Sequence, residues 1–196
     1  MGKLSFFKRS RRLSFIDRCS NIPHIKLYPV SDHSFYITLY TMIFADLENE
    51  RLRDSNLTMG GFYNISEAVQ KALVHDLEEA ETGDILYPLH NEFTEFKKDL
   101  DAAREKCVDH VLFSELPLNV RKRYIKLWNE SKDDSKEGQL VACMDKFEIL
   151  MFAITELDMG NQAIKNLYEN ATSIILRKFN IPSVLEVVNE IRTIYG

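Results

Sequence analysis

Between Gln139 and Met159 the chain carries its most apolar helical stretch, and one residue in the middle of it, Asp145, has no place in an ordinary core. Val141, Ala142, Phe147, Leu150 and Met151 surround it with hydrocarbon. A carboxylate there is costly unless it is paired, hydrogen-bonded or bound to a metal. Whatever fold the chain adopts must bury this helix and bring polar partners to Asp145 from distant parts of the sequence.

Helical periodicity dominates the remainder, and no strand alternation persists for more than a few residues. Helices are predicted over Leu4 to Asp17, from an N-cap at Ser31 or Asp32 to Arg53, from a Ser66 cap through His75-Asp76 to Thr82, and over Asn91 to Phe113. More follow over Pro117 to Glu130, Gln139 to Met159, Gln162 to Phe179 and Ser183 to Tyr195, with a polar turn over Ser131 to Gly138. A chain of 196 residues fits one all-α domain, 1–196, with its chemistry in about 18–161 and two further helices in 162–196.

A net charge of -5 argues against a nucleic-acid partner, though a few placed cations suffice for a small phosphorylated ligand. Cys19, Cys107 and Cys143 form neither a zinc pair nor a disulfide framework, so a cytoplasmic compartment is expected. No apolar run is long enough to cross a bilayer, and the basic N-terminus lacks the apolar core of a signal peptide. It reads as an amphipathic first helix that packs through Leu4, Phe7, Leu13 and Phe15.

The pair His75-Asp76 sets an imidazole beside a carboxylate on a short, otherwise apolar helix. Residues four apart share a helix face, so Glu79 is expected to point with His75. His33 near the start of the long second helix and Asp145 complete a mixed set of two imidazoles and two carboxylates. Such a set suits a divalent ion such as manganese, cobalt, magnesium or iron and leaves positions open for water and substrate. Each signal alone is weak, because a His-Asp dipeptide arises by chance; the combination carries the reading.

These residues resemble the HD superfamily of metal-dependent phosphohydrolases, whose order His, His-Asp, Asp is met here by His33, His75-Asp76 and Asp145. Within it the chain is similar to the bacterial 5′-deoxynucleotidases and phage HD-domain triphosphohydrolases. Val30-Ser31-Asp32-His33-Ser34 resembles that group's Val-Ser-Glu-His-Ser, and His75-Asp76, Glu79 and Thr82-Gly83-Asp84 match its His-Asp-x-x-Glu-x-x-Thr-Gly-Asp. Met144-Asp145 and Glu156 to Asn161 echo its last metal helix, and Arg18 stands at the family spacing before the first histidine.

The resemblance implies an all-helical HD-domain fold, one divalent ion on His33, His75, Asp76 and Asp145, and catalytic roles for Glu79 and Asp84. Arg18 would contact the nucleotide and help select deoxyribose, and a homodimer or higher homo-oligomer is implied. The family's arginine is followed by tryptophan where this chain has Cys19, so Cys19 and Asn21 alter the substrate contacts. Two family lysines are absent: Ala142 stands at one position and His90 at the other, leaving His90, Lys97 or Lys98 to face phosphate. Lys146 is expected to point elsewhere on its helix, Lys71, His24 and His110 to face solvent, and Trp128 and Cys143 to pack.

The expected reaction is hydrolysis of a deoxynucleoside 5′-monophosphate to deoxynucleoside and phosphate. The alternatives are release of triphosphate from a deoxynucleoside triphosphate, and a non-catalytic nucleotide-binding protein. Glu79 and Asp84 argue against the last, because a mere binder has no use for them.

Overall fold

A computed structural model describes residues 3–55, 61–85 and 94–196. In chain order the helices are α1 (Leu4–Ser10), α2 (Val30–Asp54), α3 (Ile65–Val74), the single turn α4 (Glu79–Thr82), α5 (Thr94–Cys107), α6 (Leu118–Asn129), α7 (Lys136–Asp158), α8 (Lys165–Lys178) and α9 (Pro182–Tyr195). The described residues contain no strand, and only an isolated antiparallel bridge joins Asp17 to Pro29.

The apolar stretch around Asp145 is the axis of the molecule. In α7, Leu140, Val141, Cys143, Met144, Leu150 and Ala153 are fully buried, with α2 and α3 packed on one part of its surface and α8 on another. Each such large side chain stabilises by roughly 1.5–3 kcal/mol relative to exposure. That reserve lets α7 carry Asp145 and Glu148 inward. The helix begins earlier than periodicity predicts, because Ser135 caps it by accepting from Gly138 N at 3.0 Å. Ala68 and Ala72 are wholly buried in α3, and their small side chains let it lie close to α2 and α7.

Several boundaries differ from expectation for local reasons. Asn64, not Ser66, caps α3, since its side chain accepts from Glu67 N at 3.2 Å. The chain enters α2 already at Val30 from an extended Pro29, so Ser31 and Asp32 lie within its first turn. The first helix stops at Ser10 and tightens to 3₁₀ turns over Arg11–Phe15. Leu4 and Phe7 on α1 and Phe15 at the end of the 3₁₀ turns face solvent, and of the four predicted packing residues only Leu13 is buried, against Val30 and Ala80. Arg9 and Arg12 both reach Glu81 at 2.9 Å and so fasten this segment to α4.

One buried carboxylate organises the irregular stretch between Arg18 and Tyr28. Glu156 is fully buried near the end of α7. Its two oxygens accept from Ile25 N at 2.7 Å, Lys26 N at 2.8 Å and Asn161 Nδ2 at 2.7 Å. Asp17 Oδ1 accepts from Tyr28 N at 2.9 Å, closing the loop at its base. His24, expected in solvent, is half-buried and bonds Asp17 Oδ2 at 2.9 Å. No helix among the described residues is long and apolar enough to cross a membrane.

Candidate metal centre and nucleotide cavity

α3 ends at Val74, and the next residues do not continue it as an α-helix. Leu77 N, Glu79 N and Ala80 N bond carbonyls three residues back rather than four. In that tighter winding, residues three apart eclipse. Glu79 therefore aligns with Asp76 and not with His75, the reverse of the α-helical expectation. Arg18 reads this alignment: its Nη1 lies 2.9 Å from Asp76 Oδ2 and 3.7 Å from Glu79 Oε2.

The two imidazoles are each held from behind. His75 Nδ1 lies 2.7 Å from Ala72 O, which fixes the proton on that nitrogen and leaves Nε2 as a lone pair. His33 Nδ1 meets Glu148 and the Tyr28 hydroxyl, itself hydrogen-bonded to Glu148. Such partners orient a ligating imidazole and raise its basicity. The forward-facing atoms converge. His75 Nε2 lies 3.0 Å from Asp76 Oδ2, and His33 Nε2 lies 3.5 Å from Asp76 Oδ2 and 3.3 Å from Asp145 Oδ1.

One donor atom each from His33, His75 and Asp76 falls within 4.8 Å of the others. His33 Nε2, His75 Nε2, Asp145 Oδ1 and Glu79 Oε2 are buried and make no hydrogen bond. Buried polar atoms without partners are costly, and a divalent cation would satisfy the two imidazole nitrogens with a nitrogen and oxygen donor set that suits it. The residues present fit a metal ion.

The local electrostatics favour positive charge. Burial opposes ionisation of Asp76, but His75 and Lys132 outweigh it and hold the carboxyl well below its usual range. Burial likewise opposes Asp145, and Lys132 and Lys146 overcome it. Burial and the Arg18 charge push the His33 proton off, yet Glu148 and the two aspartates prevail and raise the imidazole to about 10. Glu79 behaves oppositely: burial and the neighbouring Asp76 raise its carboxyl well above the usual value.

The cluster opens onto a cavity of about 540 Å³. Asp76, Glu79 and Asp145 line it together with the cations Arg18, Lys132, Lys146 and Arg104. Ile22, Ile149, Leu167, Ala171 and Ile174 supply its apolar wall, and Cys19, Asn21 and Asp84 complete one side. Cys19 takes a left-handed backbone conformation, φ 53°, and its N–H donates to Asp84 Oδ2 at 3.2 Å. Among the expected substrate residues, Arg18, Cys19 and Asn21 thus border the cavity, while His90 lies outside the described residues.

Cations arrive from unexpected places. Lys97 and Lys98 are exposed on α5 and do not line the cavity. Lys146, expected to point away, lies 3.4 Å from Asp145 Oδ2, because a long flexible stem bends back to a buried carboxylate. Lys132 comes from the coil before α7 and Arg104 from α5. Arg104 Nε stands 3.7 Å from buried Glu78, whose other oxygen accepts from Trp128 Nε1 at 2.6 Å. Trp128 therefore bonds as well as packs. Burial and Asp76 raise the Glu78 carboxyl to about 7. Lys71, expected in solvent, is buried against Asp133 and Ser135.

Glu148 was legible by the argument applied to Asp145, being a second carboxylate one turn along the same apolar helix. No local signal marked Lys132, Arg104 or the α8 wall, which reach the cavity only through tertiary packing.

The description "5′-deoxynucleotidase YfbR-like" belongs to a family model that matches residues 5–193. The Mus musculus 5′-deoxynucleotidase HDDC2 is 27% identical over 167 residues, 84% of this chain and 72% of that protein. An HD-domain phosphohydrolase from Listeria innocua superposes with a TM-score of 0.80 at 27% identity, covering 98% of this chain and 89% of its own. The cyanophage S-2L HD phosphohydrolase, bound to dA and one catalytic Zn²⁺ ion, superposes with a TM-score of 0.59 at 17% identity, covering 95% and 91%.

Proposed function

The chain belongs to the YfbR-like 5′-deoxynucleotidase family of metal-dependent phosphohydrolases, and on that footing we propose that it hydrolyses deoxynucleoside 5′-monophosphates to deoxynucleoside and orthophosphate. The observation that carries the reading is the convergence of donor atoms from His33, His75 and Asp76, both imidazole Nε2 atoms without a hydrogen bond, beside a cavity lined with cations. His33, His75, Asp76 and Asp145 would hold the divalent ion. When bound, such an ion polarises a phosphoryl oxygen and lowers the pKa of a coordinated water.

The protein side chains supply the rest. Arg18 and the cavity lysines neutralise the phosphate. Glu79 is buried beside Asp76 and 3.7 Å from Arg18, where its carboxylate would take the proton of the attacking water. As the water oxygen bonds to phosphorus, the bond from phosphorus to the 5′ oxygen breaks, and the leaving alkoxide takes up the proton that Glu79 received. Asp84 fastens the Cys19 backbone and with it the loop that carries Arg18, keeping the sugar-facing side in register. The cyanophage relative supports the reading with its bound dA and zinc.

A product assay tests this directly. With manganese or cobalt added, deoxynucleoside monophosphates should release orthophosphate, and chelator should abolish it. Triphosphate release from deoxynucleoside triphosphates, with monophosphates untouched, would transfer the assignment to a triphosphohydrolase. No turnover of either would leave a nucleotide-binding protein. The three free thiols suit a cytoplasmic enzyme.

A homodimer, which the family resemblance implies, would have a candidate surface in α2. Phe35, Tyr36, Met42, Ile43 and Leu47 are exposed along one side of it, a stripe about 18 Å long at 1.5 Å per residue. Soluble monomers rarely leave such a stripe uncovered. Sedimentation velocity across a concentration series should find a dimer; a monomer throughout would free this face for another role.

A further inference from the structure

Tyr28 closes the irregular stretch that starts at Arg18, and it is only 3% exposed. The main chain fixes its position twice: Tyr28 N donates to Asp17 Oδ1 at 2.9 Å, and Tyr28 O accepts from Arg18 N at 2.9 Å. Its ring lies parallel to that of Phe152 on α7, with centroids 3.9 Å apart and 4° between the planes. Core packing asks only for that ring. A phenylalanine would stack on Phe152 equally well, so a buried hydroxyl here needs another reason.

The hydroxyl donates to Glu148 and lies 3.0 Å from His33 Nδ1, which also meets Glu148. Hydroxyl, carboxylate and imidazole form a closed triangle, buried throughout, on the far side of the imidazole from Asp76 and Asp145. Tyrosine has one proton to give, and Glu148 takes it. The His33 Nδ1 proton is thus held toward this pair, and Nε2 is the nitrogen left for an ion. The ring meets the other half of the site. Arg18 Cζ stands over it, 5.8 Å from its centroid, within the range of a cation–π contact. The same guanidinium reaches Asp76 and borders the cavity.

We propose that Tyr28 is a positioning residue for both halves of the site: its hydroxyl, with Glu148, aims the His33 imidazole at the metal, and its ring seats the Arg18 guanidinium that meets the phosphate. This rests on the reading of the site as a metal-dependent phosphohydrolase. The two roles belong to different atoms of one side chain, so they can be removed one at a time. Without the hydroxyl, Glu148 keeps His33 alone as its partner in the triangle and no longer has a fixed direction. Without the ring, Arg18 loses the surface beneath its charge.

Calorimetry on the full chain, with Mn²⁺ and with inorganic phosphate, reads the two roles separately. Tyr28→Phe keeps the ring and should bind Mn²⁺ roughly 10- to 100-fold more weakly, the usual cost of losing a group that orients a ligating histidine. Saturated with Mn²⁺, it should bind phosphate as wild type does, because Arg18 keeps its seat. Glu148→Gln should weaken Mn²⁺ binding to a similar degree, and adding Tyr28→Phe to it should cost little more, since both act on His33 through one triangle. Tyr28→Leu removes hydroxyl and ring, and its Mn²⁺-saturated form should bind phosphate roughly 2- to 30-fold more weakly. Tyr28→Met, with a more adaptable side chain, makes the same comparison if leucine unsettles the Phe152 stack. A loosened fold is not repaired by excess Mn²⁺, so it cannot imitate this pattern. Unchanged or tighter Mn²⁺ binding by Tyr28→Phe, a phosphate defect in it that persists at saturating Mn²⁺, or full additivity with Glu148→Gln overturns the role of the hydroxyl. Equal phosphate affinity with and without the ring overturns the role of the ring. A wild-type protein that binds no Mn²⁺ overturns the metal centre and this proposal together, whereas normal wild-type binding beside an unaffected Tyr28→Phe overturns the proposal alone.

Discussion

Asp76→Asn should abolish divalent-metal binding and reduce deoxynucleotide hydrolysis by roughly 10³-fold or more, given that a catalytic ion contributes several kcal/mol and 1.36 kcal/mol is a factor of ten. The substitution keeps the shape of the side chain and removes its charge. Asp76 is the point where the centre meets itself, with both histidines, Arg18 and Lys132 within 3.6 Å of its oxygens. Neutralising it leaves Arg18 and Lys132 facing an amide and takes one donor from the His33, His75 and Asp76 set. Mn²⁺ titration and orthophosphate release measure the two effects. Metal affinity and turnover both within a few-fold of wild type would remove Asp76 from the centre.

Glu79→Gln has the second-largest expected effect and a different signature. Glu79 is 3.7 Å from Arg18, lies in register with Asp76, and has one oxygen buried without a hydrogen bond. A glutamine fills the same space but takes no proton. Turnover should fall roughly 10²- to 10⁴-fold, the usual contribution of general acid–base catalysis, while metal and phosphate still bind. The contrast separates Glu79 from Asp76, whose loss removes both binding and rate. Unchanged kcat in Glu79→Gln would transfer the proton step elsewhere, with Glu78 and Asp84 the nearest alternatives in sequence.

The centre was legible wherever a residue broke a local rule. A carboxylate inside the apolar 139–159 stretch and a His-Asp pair on an apolar helix are both expensive, and the chain bears that expense at one spot. The all-helical architecture followed from periodicity, because α3, α6 and α9 each set their apolar residues on one face at helical spacing. What failed was local winding and tertiary reach. Periodicity takes every helix as 3.6 residues per turn, so it could not foresee the tightening after Val74 that pairs Glu79 with Asp76, or the 3₁₀ turns that expose Phe15. Lys71 looked solvated because nothing in its neighbourhood announces Asp133 and Ser135, more than sixty positions away. Lys132 sits in a polar turn that reads as a connector until α7 and the His75-Asp76 turn are seen to close around it.

The grip of Glu156 on the Ile25 and Lys26 amides bears on which side chains the loop tolerates. Those bonds, like that of Asp17 to Tyr28, fall on main-chain atoms, so they are indifferent to the side chains that the loop displays. Asn21 can be exchanged without loosening the scaffold that aims it, whereas Cys19 holds a left-handed backbone, φ 53°, that few side chains adopt. The Asn21 side of the cavity can thereby change its ligand contacts while the bonds that set the loop stay as they are.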